Sequence, residues 1–254
     1  MDTSTHIETA TLQDYHKMFQ HLSDDPQWYS NPKNCHSIPF PFSFFEPPER
    51  FSIQDGKFEY MGREEFQRVH KTVSSLKAGG GGTRLYIQGT MGYGKSHILA
   101  ALACLLYRQG KVVVFIPDVR GLLFAPLPYI TTALLCTFAG PSFKEERKRI
   151  RACKSMDDIS RFYHEIRSSP YLIVDQINAF ELSDLNTDSV ARETKDACRT
   201  FINDLSVGSF TTTSASANYR TAMHMEKKQT NEIKLSMMGG MSTVSSRIYL
   251  SYSF

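Results

Sequence analysis

One segment of eight residues constrains the fold of this chain more than any other. The strand-like run Arg84–Gln88 precedes the segment, and the helical run Ser96–Arg108 continues from its last residue. A strand, a glycine-rich turn and a helix start bring backbone N–H groups together and predict a cradle for phosphate oxygens. The segment has the pattern G-x-x-x-x-G-K-S and consists of Gly89, Thr90, Met91, Gly92, Tyr93, Gly94, Lys95 and Ser96.

The motif assigns a task to each of its last residues. Lys95 is predicted to reach the β- and γ-phosphates of a nucleotide, and the hydroxyl of Ser96 is predicted to bind Mg²⁺. Glycines suit the turn because a Cβ atom there would hold the phosphates away from the backbone. The whole loop and the following residue, His97, are therefore the predicted nucleotide-binding residues. The alternative is a glycine-rich turn with a structural role alone.

Composition narrows the class of protein. A chain of 254 residues is long enough for one α/β domain with a short extension, and 41% apolar with 22% charged residues is typical of a globular protein. The net charge of +3 does not by itself predict a nucleic-acid partner. Five dispersed cysteines without metal-ligand spacing indicate reduced thiols inside a cell.

No segment suggests export or a membrane anchor. Residues 1–11 lack the apolar run of a secretory signal, and the longest apolar stretch, Ile98–Tyr107, is too short to span a bilayer. We therefore expect a soluble intracellular protein, in the cytoplasm or the nucleus, that does not bind membranes.

The chain is predicted to have three parts. Residues 1–50 form an N-terminal helix and a proline- and aromatic-rich arm, and the prolines of residues 24–49 predict an extended segment without regular helix. Residues 51–236 form the nucleotide-binding domain, and residues 237–254 form an irregular tail without a packing pattern. The apolar residues of the N-terminal helix recur at helical spacing: Leu12, Tyr15, Met18, Phe19 and Leu22.

Strand-like and helical patterns alternate within the domain. Such alternation predicts a three-layer α/β fold with a mostly parallel central sheet and helices on both faces. After the helix that follows the loop, the predicted strands are Lys111–Ile116, Tyr171–Val174 and Phe210–Thr213, and the predicted helices are Tyr129–Phe138, Met156–Arg167 and Ser189–Leu205.

The second half of a nucleotide site is predicted where a buried strand ends. Asp175 directly follows the apolar run Tyr171–Val174, so its carboxylate is predicted to hold Mg²⁺ together with Ser96. Gln176 comes next. Its amide can orient a water molecule but cannot act as a general base, which predicts hydrolysis that is slow or depends on another group. Lys95, Asp175 and Gln176 are the predicted catalytic residues.

Several further polar residues have two interpretations each. Glu181 is a candidate base or a solvated carboxylate, and Asn178 is a second polar contact near the γ-phosphate or a helix cap. Ser214 and Asn218 follow the strand Phe210–Thr213, where they are candidate sensors of the γ-phosphate or ordinary turn formers.

Basic residues offer a similar choice. The run between Lys144 and Lys154 is predicted to be a solvated helix face, with an arginine finger or a contact to a phosphate backbone as the alternative. Arg199 and Arg220 are further candidates for an arginine finger.

Five strings together resemble the NTPase module of Crinkler-type proteins of fungi and oomycetes, which is related to retrotransposon hot spot proteins. The resemblance covers about residues 40–241, and it implies a P-loop ATPase domain of the AAA-like, additional-strand class that binds ATP and Mg²⁺. The family's ubiquitin-like header and nuclease-like C-terminal domain have no recognisable counterpart, so we expect a truncated or frameshifted copy. The strings are Tyr60–Arg63, Tyr86–Leu102, Ile173–Ala179, Thr213–Asn218 and Gly239–Met241.

The leading hypothesis is a P-loop ATP-binding protein with Mg²⁺-dependent ATPase activity. The alternative is a nucleotide-binding switch or interaction module with little or no turnover, and a small-molecule kinase is a third hypothesis. The expected partner of this chain is a nucleoside triphosphate. A second copy of the chain, a nucleic acid and a host protein are further candidates. A Rossmann dehydrogenase is disfavoured, because the G-x-G-x-x-G register that begins at Gly92 meets His97 at its last position and because Lys95 and Ser96 form the ending of a phosphate loop.

Overall fold

A computed structural model gives the structure of the chain and describes residues 7–77, 84–181, 189–216 and 232–237. None of the helices in these ranges is long and apolar enough to cross a membrane. Single 3₁₀ turns are formed by Glu49–Phe51 and Ile177–Phe180. In chain order the elements are α1 (Thr9–Gln20), α2 (Pro26–Ser30), β1 (Cys35–Pro39), β2 (Lys57–Met61), α3 (Glu64–Ser75), β3 (Arg84–Gly89), α4 (Lys95–Arg108), β4 (Val113–Ile116), α5 (Val119–Phe124), α6 (Pro126–Thr137), α7 (Lys144–Ala152), α8 (Met156–His164), β5 (Tyr171–Val174), α9 (Arg192–Ser206), β6 (Phe210–Ser216) and β7 (Glu232–Met237).

The larger sheet is parallel throughout its described strands. Its five strands have the order β4-β5-β6-β3-β7, so β6 lies between β3 and β5. Strands β4 and β5 are apolar and almost completely buried, which requires cover on both faces of the sheet. The predicted α/β class is confirmed, and the arrangement is consistent with three layers. The carboxyl ends of β3, β4, β5 and β6 meet at one edge.

Helix α4 follows the glycine-rich loop and lies in the core. Every residue from Ile98 to Tyr107 is buried, because the helix packs on β4 on one side and contacts α1 and α3 elsewhere. A helix that is apolar all round is suited to such a position. The loop is therefore anchored at both ends by buried elements, β3 and α4.

The N-terminal arm is more regular than its prolines suggest. The expectation of no helix is wrong for α2, because Pro26 stands in the first turn, where its missing N–H is not needed, and Asp25 caps Gln27 N–H at 2.8 Å. Strand β1 pairs antiparallel with β2 in a separate two-stranded sheet. Phe40 and Phe42 are buried, so the arm lies on the core as expected.

Other predicted elements hold with shifted ends. Helix α6 begins at Pro126, again with a proline in its first turn, and α9 begins at Arg192. Helix α8 has the capping box expected from Ser155 but ends at His164. Strand β7 was not predicted, and it includes Met237, which had been assigned to the irregular tail. Its short, mixed pattern of burial gives no clear period at the edge of the sheet.

Candidate functional site

The loop between β3 and α4 uses its glycines for two different reasons. Gly94 has a φ of +83°, and a Cβ atom at this position would lie 2.5 Å from the guanidinium of Arg63. Arg63 also donates to the carbonyl of Tyr93 at 2.6 Å. At Gly89 a Cβ atom would lie 2.1 Å from the carbonyl oxygen of Met237 in β7. The turn therefore needs glycine at Gly94, and close packing of two strands needs it at Gly89.

Lys95 is the first residue of α4 and is only 5% exposed. Its ammonium donates to the carbonyls of Gly89 at 2.9 Å and Thr90 at 2.8 Å, so it lies within the curve of the loop. Burial lowers the pKa of Lys95, and the charge of Asp175 opposes that shift. The lysine, the loop and the amino end of α4 share one location, as the motif predicts.

Asp175 lies at the end of β5 and is fully buried. Its carboxylate accepts a hydrogen bond from the hydroxyl of Ser214 and one from the N–H of Gln176 at 2.9 Å. Ser214 reaches it because β6 lies beside β5. Ser214 is a buried strand residue, so its interpretation as a turn former is wrong. Asn218, the other candidate sensor, lies outside the described residues.

The guanidinium of Arg50 joins the loop to the acid at the end of β5. It donates to Ser96 Oγ at 3.1 Å, to Asp118 Oδ2 at 3.0 Å and to Asp175 Oδ2 at 3.2 Å, and it also donates to the carbonyl of Pro117. Ser96 and Asp175, the two predicted metal ligands, thus face the same cation. Arg50 was not predicted as a site residue, because no local pattern marks a residue of the proline-rich arm.

Asp118 was missed as well. It follows β4 with one proline between, its carboxylate caps α5 through the N–H of Arg120 at 3.0 Å, and the side chain of Arg120 donates to it at 2.6 Å. Burial would raise the pKa of the Asp118 carboxyl, but hydrogen bonds from Arg120 and the charges of Arg50 and Arg120 outweigh it, and the pKa is lowered. An acid directly beyond a buried strand was the signal available, the same signal that identified Asp175.

Gln176 has a left-handed backbone, with φ 64° and ψ 40°. This conformation is uncommon for a residue with a side chain and is found mainly where the surroundings enforce it. In this conformation the backbone N–H of Gln176 donates to the Asp175 carboxylate, and the 3₁₀ turn Ile177–Phe180 begins at the next residue. Asn178 lies on this turn, and Glu181 follows it. Their roles as a polar contact and a base stay predictions.

His97, the residue that follows the loop, was predicted to bind the nucleotide. His97 packs its ring against Phe51 and Phe58, with centroids 4.9 and 5.8 Å away. Burial, followed by the charges of Arg63 and Arg50, lowers the pKa of His97 to about 4. Its side chain therefore belongs to the packing of α4 against the 3₁₀ turn Glu49–Phe51 and strand β2.

The candidate arginine fingers differ in their surroundings. Arg147 is 2% exposed and donates to the carbonyls of Phe138 at 2.8 Å and Gly140 at 2.5 Å, so a solvated helix face is the wrong interpretation for this residue. Arg199 donates to the carbonyl of Phe180, at the end of the 3₁₀ turn that begins next to Gln176. Arg220 lies outside the described residues.

The described part of the chain contains no group of three or more histidine, cysteine or acidic side chains placed to hold a metal ion. A core cavity of about 10 Å³ lies between Tyr15, Tyr107 and Cys136, near the carboxyl end of α4, far along that helix from Lys95. It has room for about one water molecule, which excludes it as a nucleotide pocket.

No protein-family model matches the chain, and no curated protein matches it significantly. The likeness to the Crinkler-type NTPase module rests on the five strings of residues and stays a resemblance.

Proposed function

We propose that this chain binds a nucleoside triphosphate, with ATP and Mg²⁺ as the expected ligands, at the sheet edge where the loop and Asp175 meet. The observation that carries the proposal is the convergence of Ser96 and Asp175 on one guanidinium, because these residues are 79 positions apart in the sequence and were predicted to share a metal ion. A hydroxyl and a carboxylate are oxygen ligands that suit Mg²⁺.

Sheet order supports the same proposal. An additional-strand ATPase has one strand inserted between the strand that precedes the phosphate loop and the strand that ends in the metal-binding acid. Strand β6 has this position between β3 and β5. In this proposal the chain is a P-loop NTPase of that class, similar to the Crinkler-type module.

Each group of residues at this edge has its own role in the proposed binding and hydrolysis. The loop N–H groups and the amino end of α4 bind phosphate oxygens, and Lys95 neutralises them. Ser96 and Asp175 would hold Mg²⁺, which when bound neutralises charge on the phosphates. Ser214 orients the Asp175 carboxylate through its hydrogen bond. Gln176 orients a water molecule for attack on the γ-phosphate.

Titration with a fluorescent ATP analogue in the presence of Mg²⁺ tests the proposal. Lys95→Ala removes a charge-assisted contact and should weaken binding roughly 10- to 100-fold. The control is Lys111→Ala, which removes an exposed lysine beyond α4 and should bind as wild type does. Equal affinity of all three proteins, or no binding by wild type, would refute nucleotide binding at the loop.

The second candidate function is a nucleotide-dependent switch with little turnover. It is favoured by Gln176, which directly follows Asp175 in the sequence and cannot act as a general base, and whose backbone N–H donates to Asp175. Phosphate release at saturating ATP, with and without DNA or RNA, separates the two functions. A turnover of ~1 s⁻¹ or faster would exclude the switch. Size analysis with ATP, GTP and a non-hydrolysable analogue tests base preference and assembly together.

A further inference from the structure

Four oxygen atoms surround the guanidinium of Arg50. They belong to Ser96, Asp118, Asp175 and the carbonyl of Pro117, and they come from the start of α4 and the ends of β4 and β5. Arg50 itself comes from the N-terminal arm, and its side chain is 23% exposed. A ring of oxygens around one positive charge is a cation site, and the cation here is a side chain of the same chain.

The charge of Arg50 is needed where it lies. Asp175 is fully buried and Asp118 nearly so, and buried carboxylates are unfavourable unless they are paired or hydrogen-bonded. Asp118 has a second cationic partner in Arg120 at 2.6 Å. Asp175 forms an ion pair with Arg50 and also accepts hydrogen bonds from two uncharged donors, the Ser214 hydroxyl and the backbone N–H of Gln176.

A guanidinium in this position and a divalent cation on the same two oxygens exclude each other. Both would bind Ser96 Oγ and Asp175 Oδ2, and two positive charges within a few ångströms repel strongly at a largely buried site. A phosphate chain on the loop changes the balance, because it brings negative charge to which arginine can bind with two parallel hydrogen bonds.

We propose that Arg50 is the internal cation of this site: it holds the metal position before nucleotide binding, and Mg²⁺ enters only together with a phosphate chain that draws the guanidinium away. The inference rests on the proposed function for the identity of the arriving ligand. It adds that the site distinguishes a Mg²⁺–nucleotide from the metal alone, and that Asp118 belongs to its ring of oxygens.

Thermal unfolding in Mg²⁺ without nucleotide tests this inference separately. The melting temperatures of wild type in EDTA and in 10 mM Mg²⁺ should agree to within roughly 1 °C, because Arg50 excludes the metal. Arg50→Gln should melt lower in EDTA and should regain roughly 5 °C in Mg²⁺. Adding Ser96→Ala to that variant should remove most of the gain.

Two further variants guard against a trivial result. Arg147→Gln removes another buried arginine that binds carbonyls away from this edge, so it should be destabilised without any response to Mg²⁺. Arg50→Lys keeps a positive charge and should resemble wild type in its lack of response. If Arg50→Gln does not fold, a gain in stability from Mg²⁺ by wild type or by Arg50→Lys still refutes the internal cation. A response to Mg²⁺ in Arg50→Lys equal to that of Arg50→Gln would overturn the proposal.

The outcomes also separate this inference from the proposed function. If wild type binds the fluorescent ATP analogue but gains stability from Mg²⁺ alone, the internal cation is refuted and nucleotide binding stands. If Arg50→Gln folds and gains nothing from Mg²⁺, the internal cation is likewise refuted. If wild type binds no nucleotide while Arg50→Gln responds to Mg²⁺, the cation site stands and the proposed nucleotide function fails.

Discussion

The phosphate loop, residues 89–96, and the acid cluster, Asp118 and Asp175 with Ser214, lie at the same edge of the sheet but are held in different ways. The loop is shaped by its own backbone, with left-handed glycines and the carbonyls that receive Lys95. The acid cluster is assembled by side chains from three strand ends and by Arg50, which is 125 residues from Asp175 in sequence.

The two halves of the edge are therefore sensitive to different kinds of change. Backbone geometry is set locally and tolerates little change of side chain at a few positions. A cluster of buried charges depends on a distant partner, and its stability is sensitive to the loss of that partner or to protonation. The two halves should therefore respond to different substitutions and different solution conditions.

The largest effect is expected from Gly94→Ala, which breaks the loop. The added Cβ meets both a left-handed backbone and the guanidinium of Arg63 at 2.5 Å. The guanidinium can move away, but it then loses its hydrogen bond to the carbonyl of Tyr93. We expect a loss of about 2–3 kcal/mol in the free energy of unfolding and loss of binding to the fluorescent ATP analogue. Gly110→Ala is the matched control: its φ is +71°, nothing lies within 4 Å of the new Cβ, and it should cost only about 1 kcal/mol and leave binding intact. Equal effects in both variants would show that the contact with Arg63 is irrelevant.

The same contrast explains how much the sequence revealed. The loop could be predicted because its glycines, Lys95 and flanking elements are adjacent in the chain, and the parallel sheet followed from alternating apolar runs. Asp175 was identifiable from its own strand. Arg50 was not, because its position depends on the packing of the arm and on the order of the strands, which neighbouring residues do not encode. Strand β7 escaped because an edge strand with exposed Ile233 lacks a clear period.

A smaller effect is expected where the start of α4 packs on the 3₁₀ turn Glu49–Phe51. His97 packs on Phe51, the residue after Arg50, and its pKa is lowered to about 4 from the ordinary 6.5. The unfolded chain therefore binds a proton that the folded chain does not, so stability should fall as the pH decreases from about 6.5 towards about 4. The loss attributable to His97 should be about 2 kcal/mol at pH 4.5.

Denaturant unfolding at pH 7.5 and at pH 4.5 measures this loss. The carboxylates titrate in part of the same range, so the informative quantity is the difference between wild type and His97→Gln. The variant should lose about 2 kcal/mol less than wild type between the two pH values. His21→Gln, at the exposed end of α1, is the control and should behave as wild type. Identical pH dependence in all three proteins would contradict the assignment.

The smallest effect is a difference of about 1 kcal/mol between a buried hydroxyl that donates to a carboxylate and one that donates to a carbonyl. Ser214→Ala removes a hydroxyl that donates to the buried Asp175 carboxylate and should cost about 2 kcal/mol, because hydrogen bonds to charged groups are the stronger ones. Ser206→Ala removes a buried hydroxyl that donates to the carbonyl of Ile202 at 2.8 Å and should cost about 1 kcal/mol. Urea unfolding compares the two. If Ser214→Ala costs no more than Ser206→Ala, the carboxylate does not depend on the Ser214 hydroxyl. In that case Arg50 and the N–H of Gln176 hold Asp175, and the acid cluster relies even more on the distant arginine than its contacts indicate.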